Sequence, residues 1–193
     1  MTGVYTPDEQ RTLLTLARLA LDEITLRRVV PYVDLDVMPP ALREPRACFV
    51  TLRQRGNGEL RGCTGTLVAQ RALAEEVVIT TGQTALHDPR FMPVTAPEVP
   101  DLHIEISVLT PPQPLTFDSP NDLIARLRPG VDGVTLRLAG HRATFLPQVW
   151  ESASEPALFL ALLSQKMGFA SDAWRSPDLE VDTYQASVIQ EPE

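Results

Sequence analysis

The chain has 193 residues, a net charge of −8, 44% hydrophobic and 22% charged residues. That balance excludes a disordered chain and suits one large domain or two small lobes sharing a core. The acidic field repels phosphate backbones, so a nucleic-acid partner is not expected without a local basic face.

The first element is a long helix: Thr6 serves as N-cap, Pro7 as N1, and Asp8 and Glu9 lie where the helix dipole favours acids. Leu13, Leu14, Ala17, Ala20, Leu21 and Ile24 recur at helical spacing, and Pro31 ends the run. Residues 31–45, with Pro31, Pro39, Pro40 and Pro45, read as an ordered connector. Ala47–Arg53 and Glu59–Cys63 read as two strands joined by a turn at Asn57-Gly58. A helix follows over residues 70–86, with Leu73, Val77, Thr81 and Thr84 on one stripe. It stops at His87-Asp88-Pro89, because a residue before proline disfavours helical dihedrals.

Leu102–Val108 alternates strictly. Leu102, Ile104, Ile106 and Val108 should face a core, while His103, Glu105 and Ser107 share the other face, read as solvated with an acid–base row as the alternative. Ser119 and Pro120 open a short helix. Val134–Leu138 and Arg142–Leu146 make a second hairpin around Gly140. Ser154 can cap a helix from Glu155 to Met167 with Leu158, Phe159, Leu162 and Leu163 inward and Gly168 just past its end. Leu179–Ile189 reads as one final strand before an acidic tail at 189–193. Hairpins mixed with helices, without regular βαβ alternation, make the fold class α+β with a mixed or antiparallel sheet.

No run reaches the ~20 apolar residues of a membrane span, so no membrane association is expected. The first nine residues show neither a basic nor an apolar leader region, and a cytoplasmic location follows as the expectation. There Cys48 and Cys63 should be reduced and unpaired. The three histidines and two cysteines have no metal-ligand spacing, and no phosphate loop is present, so neither a metal nor a cofactor is expected.

Leu60-Arg61-Gly62-Cys63-Thr64-Gly65 is the most distinctive hexapeptide. Gly62 and Gly65 allow unusual backbone angles and close approach of a ligand to main-chain N–H groups, and Arg61 adds positive charge beside the Cys63 thiol. A reactive thiol or anion-binding turn stands against a small buried cysteine in a tight strand exit. In Asp88-Pro89-Arg90-Phe91, the acid and the arginine can pair, or Arg90 can present its fork to a carboxylate or phosphate. The competing reading is a helix-terminating turn with Asp88 capping backbone and Phe91 anchored in the core. Arg46, Arg53, Arg55, Arg61 and Arg71 concentrate basic charge in one segment. All but Lys166 of the 17 basic residues are arginine.

Taken in order, Phe49-Val50-Thr51-Leu52, Leu60–Gly65, Asp88–Phe91, His103–Leu109, Phe145–Trp150 and the Phe159–Gly168 helix followed by Trp174 resemble the AMMECR domain family. Its prokaryotic members are also called AmmeMemoRadiSam system protein A. The resemblance covers roughly residues 8–188; Thr64 stands where isoleucine is more usual. It implies two unequal lobes with a cleft between them, the larger from both chain ends and the smaller from a middle segment. It also implies a Memo-like protein and a radical-SAM enzyme as partners, in a bacterial cytoplasm, and supplies no established reaction. The leading expectation is a small anionic ligand held by Arg61, Gly62, Cys63, Gly65, Asp88 and Arg90. The alternatives are an enzyme with Cys63 as nucleophile and a histidine base, and an adaptor that docks its partners with no small-molecule site.

Overall fold

The computed structural model describes residues 5–192. The start of the chain, read above for a leader, and the final residue of the proposed acidic tail lie outside the described residues. The chain forms two compact units: one takes the sequence up to Leu109 and again from Ser187, the other is Thr110–Ala186.

The first unit opens with helix α1, Pro7–Arg27. Thr6 and Glu9 form a reciprocal capping box, and Arg28, in the left-handed region at φ 59°, ends the helix before Pro31 is reached. The proline-rich connector contains a 3-10 turn at Leu35–Val37 and a four-residue helix α2, Pro40–Arg43, whose Leu42 is fully buried. Strands β1 (Cys48–Gln54) and β2 (Leu60–Gly65) make the first hairpin, with Gly58 at φ 72°. Helix α3 is Leu73–His87, and a 3-10 segment at Ala96–Asp101, opened by a Thr95–Glu98 capping box that the sequence reading passed over, leads into strand β3, Leu102–Leu109.

The sheet order of this unit is β2-β1-β3-β8, with β8 at Ala186–Gln190. Val50 and Leu52 of β1 join Leu102, Ile104, Ile106 and Val108 of β3 in a core closed by Leu13, Ala17, Ala20 and Leu21 of α1 and Leu73, Ala74 and Val77 of α3. Each such large side chain contributes roughly 1.5–3 kcal/mol on burial. Cys48 lies on this core face and Cys63 on the opposite one, and both thiols are free. On that opposite face Ser107 is only 2% exposed, while His103 and Glu105 are half-buried. A solvated row is therefore not what the structure shows.

The second unit has the sheet order β4-β7-β5-β6. Its strands are β4 (Gln113–Pro114), β5 (Gly133–Leu138), β6 (His141–Phe145) and β7 (Glu180–Tyr184), with helices α4 (Pro120–Arg126) and α5 (Pro156–Lys166). Ala139 and Gly140 both take positive φ at the tip of the β5–β6 hairpin, matching the twist of its strands. Trp150 stacks on Phe159 with ring centroids 3.8 Å apart and donates its indole N–H to Asp132 O at 2.7 Å.

Four sequence expectations need correction here. Helix α5 buries Phe159, Leu160 and Leu163, leaving Leu158 and Leu162 exposed, so its inward stripe is rotated by about one residue. Its N-cap is Glu155, with no side-chain capping bond from Ser154. The single strand expected at Leu179–Ile189 is two strands in different sheets, divided at Gln185, whose N–H is taken by Thr110 Oγ1. Nor is Glu191 a free tail residue. Its carboxylate accepts from Arg18, Arg55 and the Ile104 amide.

The caps give a direct check. Thr6→Ala should cost about 1 kcal/mol in urea unfolding, because it opens the capping box. Ser154→Ala should stay within ~0.5 kcal/mol, since that exposed side chain caps nothing. Equal losses would contradict the assignment of both helix starts.

Candidate functional site

Strand β2 brings Arg61 and Cys63 to the face turned from α3 and sets Gly62 against that helix. A Cβ on Gly62 would lie 3.0 Å from both the methyl and the carbonyl oxygen of Thr84. A Cβ on Gly65 would lie 2.4 Å from the Cys48 carbonyl oxygen and 2.7 Å from Phe49 Cα. Neither glycine has positive φ. The two glycines therefore serve close packing of α3 and β1 on β2, not the unusual backbone angles that the sequence suggested. Thr64 adds a polar tie, with its hydroxyl 2.7 Å from that of Thr84.

Asp88 is the C-cap of α3, extended at φ −70° and ψ 113° as the following proline requires. Its side chain is 1% exposed. One carboxylate oxygen accepts the Cys63 amide at 2.8 Å and Arg90 Nη2 at 2.7 Å; the other accepts the Arg90 amide at 3.1 Å and Nε at 3.0 Å. Arg90 Nη2 also donates to the Cys63 carbonyl at 3.0 Å. These bonds, the guanidinium's above all, hold the Asp88 carboxyl well below the usual carboxylate range. Cys63 lies across from Thr51 of β1 in the edge strand β2; the Thr66 N–H bond to the Cys48 carbonyl three pairs along makes Thr51–Cys63 a non-hydrogen-bonded pair, so the Cys63 N–H and C=O point away from the sheet. Asp88 and Arg90 together occupy the place a further strand would take.

Arg61 does not pair with Asp88. Its Nε donates to Glu98 at 2.8 Å, and Glu98 also closes a capping box with Thr95. The Arg61 guanidinium, followed by the bonds from Thr95, holds the Glu98 carboxyl down at about 2. Phe91, half-buried, lies under both guanidiniums, 5.9 Å from Arg61 and 5.5 Å from Arg90. It joins the two arginines more than it anchors a core. Cys63, Asp88 and Arg90 thus meet directly, Arg61 joins them through Phe91, and Gly62 and Gly65 belong to the packing beneath.

Register adds residues that sequence reasoning left out. Cys63 faces Thr51 across β1–β2, and Thr51 faces Glu105 across β1–β3, so thiol, hydroxyl and carboxylate form one cross-strand row. The Thr51 hydroxyl donates to Cys63 Sγ at 3.4 Å. Strand alternation could have placed Glu105 on this face, but pairing partners are not written in a single strand. Cys48 behaves differently: burial pushes its thiol up to about 12. Among the described residues no group of three or more His, Cys, Asp or Glu side chains is placed to hold a metal ion.

Both paired carboxylates titrate lower in the folded chain than the ~4 of an unfolded one, so the unfolded state binds more protons as pH falls. Their contribution is fully present above about pH 5 and is lost as pH drops from ~4 toward 2 and below. Urea midpoints between pH 5 and pH 2 should fall less steeply for Glu98→Gln than for the unsubstituted protein. An identical slope would contradict the Arg61–Glu98 pairing as a source of acid lability.

A family model described as AMMECR1 matches residues 14–189. A protein of Methanothermobacter thermautotrophicus is 37% identical over 187 residues, covering 95% of each chain. A protein of Thermofilum pendens is 35% identical over 200 residues, covering 98% of this chain and 92% of its own. The crystal structure of the uncharacterized protein PH0010 from Pyrococcus horikoshii superposes with a TM-score of 0.88 at 30% identity, covering 96% of this chain and 93% of that one. These relatives are archaeal and lend no support to the bacterial source expected from the sequence. Matched across nearly its whole length, the chain belongs to the AMMECR1 family.

Proposed function

We propose that the surface formed by Cys63, Arg90 and the Phe91 ring binds a small anionic ligand. The observation that carries this reading is how Arg90 is held. Its bonds to Asp88 and Cys63 use Nε and Nη2, leaving Nη1 outside them on a side chain that is 54% exposed. A guanidinium fixed by a buried carboxylate loses little further freedom when a second anion meets its outer edge. Gly62 and Gly65 support the strand beneath and take no part in contact. Arg61, 11% exposed and engaged by Glu98, stands on the other side of the Phe91 ring and adds no net charge.

A second reading makes Cys63 a nucleophile, favoured by its half-buried thiol beside the Thr51 hydroxyl and in line with Glu105. A histidine base has no such support at this position: His103 stands opposite Arg53, two residues along the strands from the row. The family resemblance supports action beside a Memo-like protein and a radical-SAM enzyme in the cytoplasm; among the described residues no helix is long and apolar enough to cross a membrane. Four of the five arginines in the basic segment are met by Glu44, Glu191, Glu98 and Glu76, which supports the absence of nucleic-acid binding.

Alkylation tests the anion site. Cys63 should label with both iodoacetate and iodoacetamide while Cys48 stays silent, and Cys63→Ser should abolish labelling. Arg90→Gln should lower the iodoacetate-to-iodoacetamide rate ratio by about threefold or more, because only the anionic reagent is drawn by the guanidinium. An unchanged ratio would contradict the proposal. An inert thiol in a chain that still captures its partners would support the adaptor instead.

A further inference from the structure

The first unit contains a separate hollow of about 470 Å³ lined by Arg53, Gln54, Arg55, Gly58 and His103. Among the described residues that lining holds no carboxylate side chain, although acids outnumber bases by eight across the molecule. Arg53 donates Nη1 to the Gly58 carbonyl at 3.2 Å, a neutral partner that leaves its charge uncompensated. Arg55 donates to the Glu191 carboxylate at 2.7 Å and to the Pro192 carbonyl at 3.4 Å. Glu191 is shared with Arg18, whose Nε lies 2.9 Å away, so two guanidiniums meet one carboxylate and one positive charge remains over. His103 faces Arg53 across β1–β3, and its Nε2 is 2.8 Å from the Glu191 carbonyl oxygen.

We infer that this hollow is a binding site for the phosphate group of a small molecule. The volume lies within the range of small-ligand sites. Arg53 and Arg55 supply two forks with N–H groups to spare beyond the bonds above, more donors than the two oxygens of a carboxylate can use, and the His103 ring, held through Nε2, lines the hollow beside them. A phosphate, with up to four oxygens and close to two negative charges, matches both the donor number and the charge left over among the described residues. Gly58 sits at φ 72° with nothing within 4 Å of where a Cβ would be, which keeps the mouth of the hollow open at the hairpin tip. The site does not depend on the Cys63 reading, since no residue is shared. It lies on the same sheet face, however: Arg53 is two residues from Thr51, ~7 Å along β1.

Calorimetric titration with inorganic phosphate, with malonate in a parallel arm, tests the inference. Phosphate should saturate one site with a Kd of about 1 mM or tighter. Arg53→Gln should weaken it about tenfold or more, whereas Arg175→Gln, which removes the same charge from the other unit, should not. His103→Gln provides a second variant should Arg53→Gln fail to fold, and it should also weaken binding. Three results would overturn the inference: no phosphate binding, equal weakening by Arg175→Gln, or malonate bound as tightly as phosphate. The last would make the hollow a general anion site.

Discussion

The Asp88 carboxylate joins two segments 25 residues apart and does so from almost complete burial. It accepts the outward-facing amide of Cys63 and locks the guanidinium that in turn covers the Cys63 carbonyl. An edge strand with bare N–H and C=O groups invites pairing with another chain. Here one acid and one arginine, presented by a turn, close that edge at a single residue. Removing either would strand the other's charge or bare the strand, so the pair is coupled to β2 and not merely placed near it.

The same arrangement fixes what the surface can do. In an arginine-rich chain with excess acid, most guanidiniums are drawn into ion pairs: Arg61 with Glu98, Arg71 with Glu76, Arg128 with Asp132. Such pairs cancel long-range charge and hold the fork in one orientation. What remains for a ligand is the unengaged edge of a fixed fork, as at Arg90, or a place where arginines outnumber acids, as at Arg53 and Arg55. The thiol of Cys63 lies beside the first and shares a sheet face with the second.

Much of the fold is legible in the sequence because local signals coincide with tertiary demand. Thr6-Pro7 with Glu9, the alternation of Leu102–Val108 and Ser119-Pro120 each specify an element whose local preference and burial agree. The failures have physical reasons. Helix α5 is apolar on several faces, so periodicity cannot choose between Leu158/Leu162 and Leu160/Ser164 as the inward stripe. The strand over 179–189 divides at Gln185 because the chain passes from one sheet to the other, which no local pattern records. At the site, sequence spacing singled out Arg61, Cys63, Asp88 and Arg90, and the Asp88–Arg90 pair it offered is present, but it named no partner for Arg61. Glu98 as the partner of Arg61, and Thr51 and Glu105 as neighbours of Cys63, follow from register and from where a 3-10 turn places Glu98, although Thr95-x-x-Glu98 is itself a legible capping box. Gly62 and Gly65 were visible as unusual, yet their reason is the approach of α3 and β1, a contact that only the folded chain makes.

The central claim is that Asp88 holds the Cys63 strand edge. Native-state amide hydrogen exchange, read at Cys63 and Arg90 with the core-strand residue Ile106 as reference, tests it directly. In the unsubstituted protein the Cys63 amide should be strongly protected although it points away from the sheet. Asp88→Ala should accelerate exchange at Cys63 and Arg90 by an order of magnitude or more relative to Ile106. Unchanged relative protection at Cys63 in that variant would contradict the account.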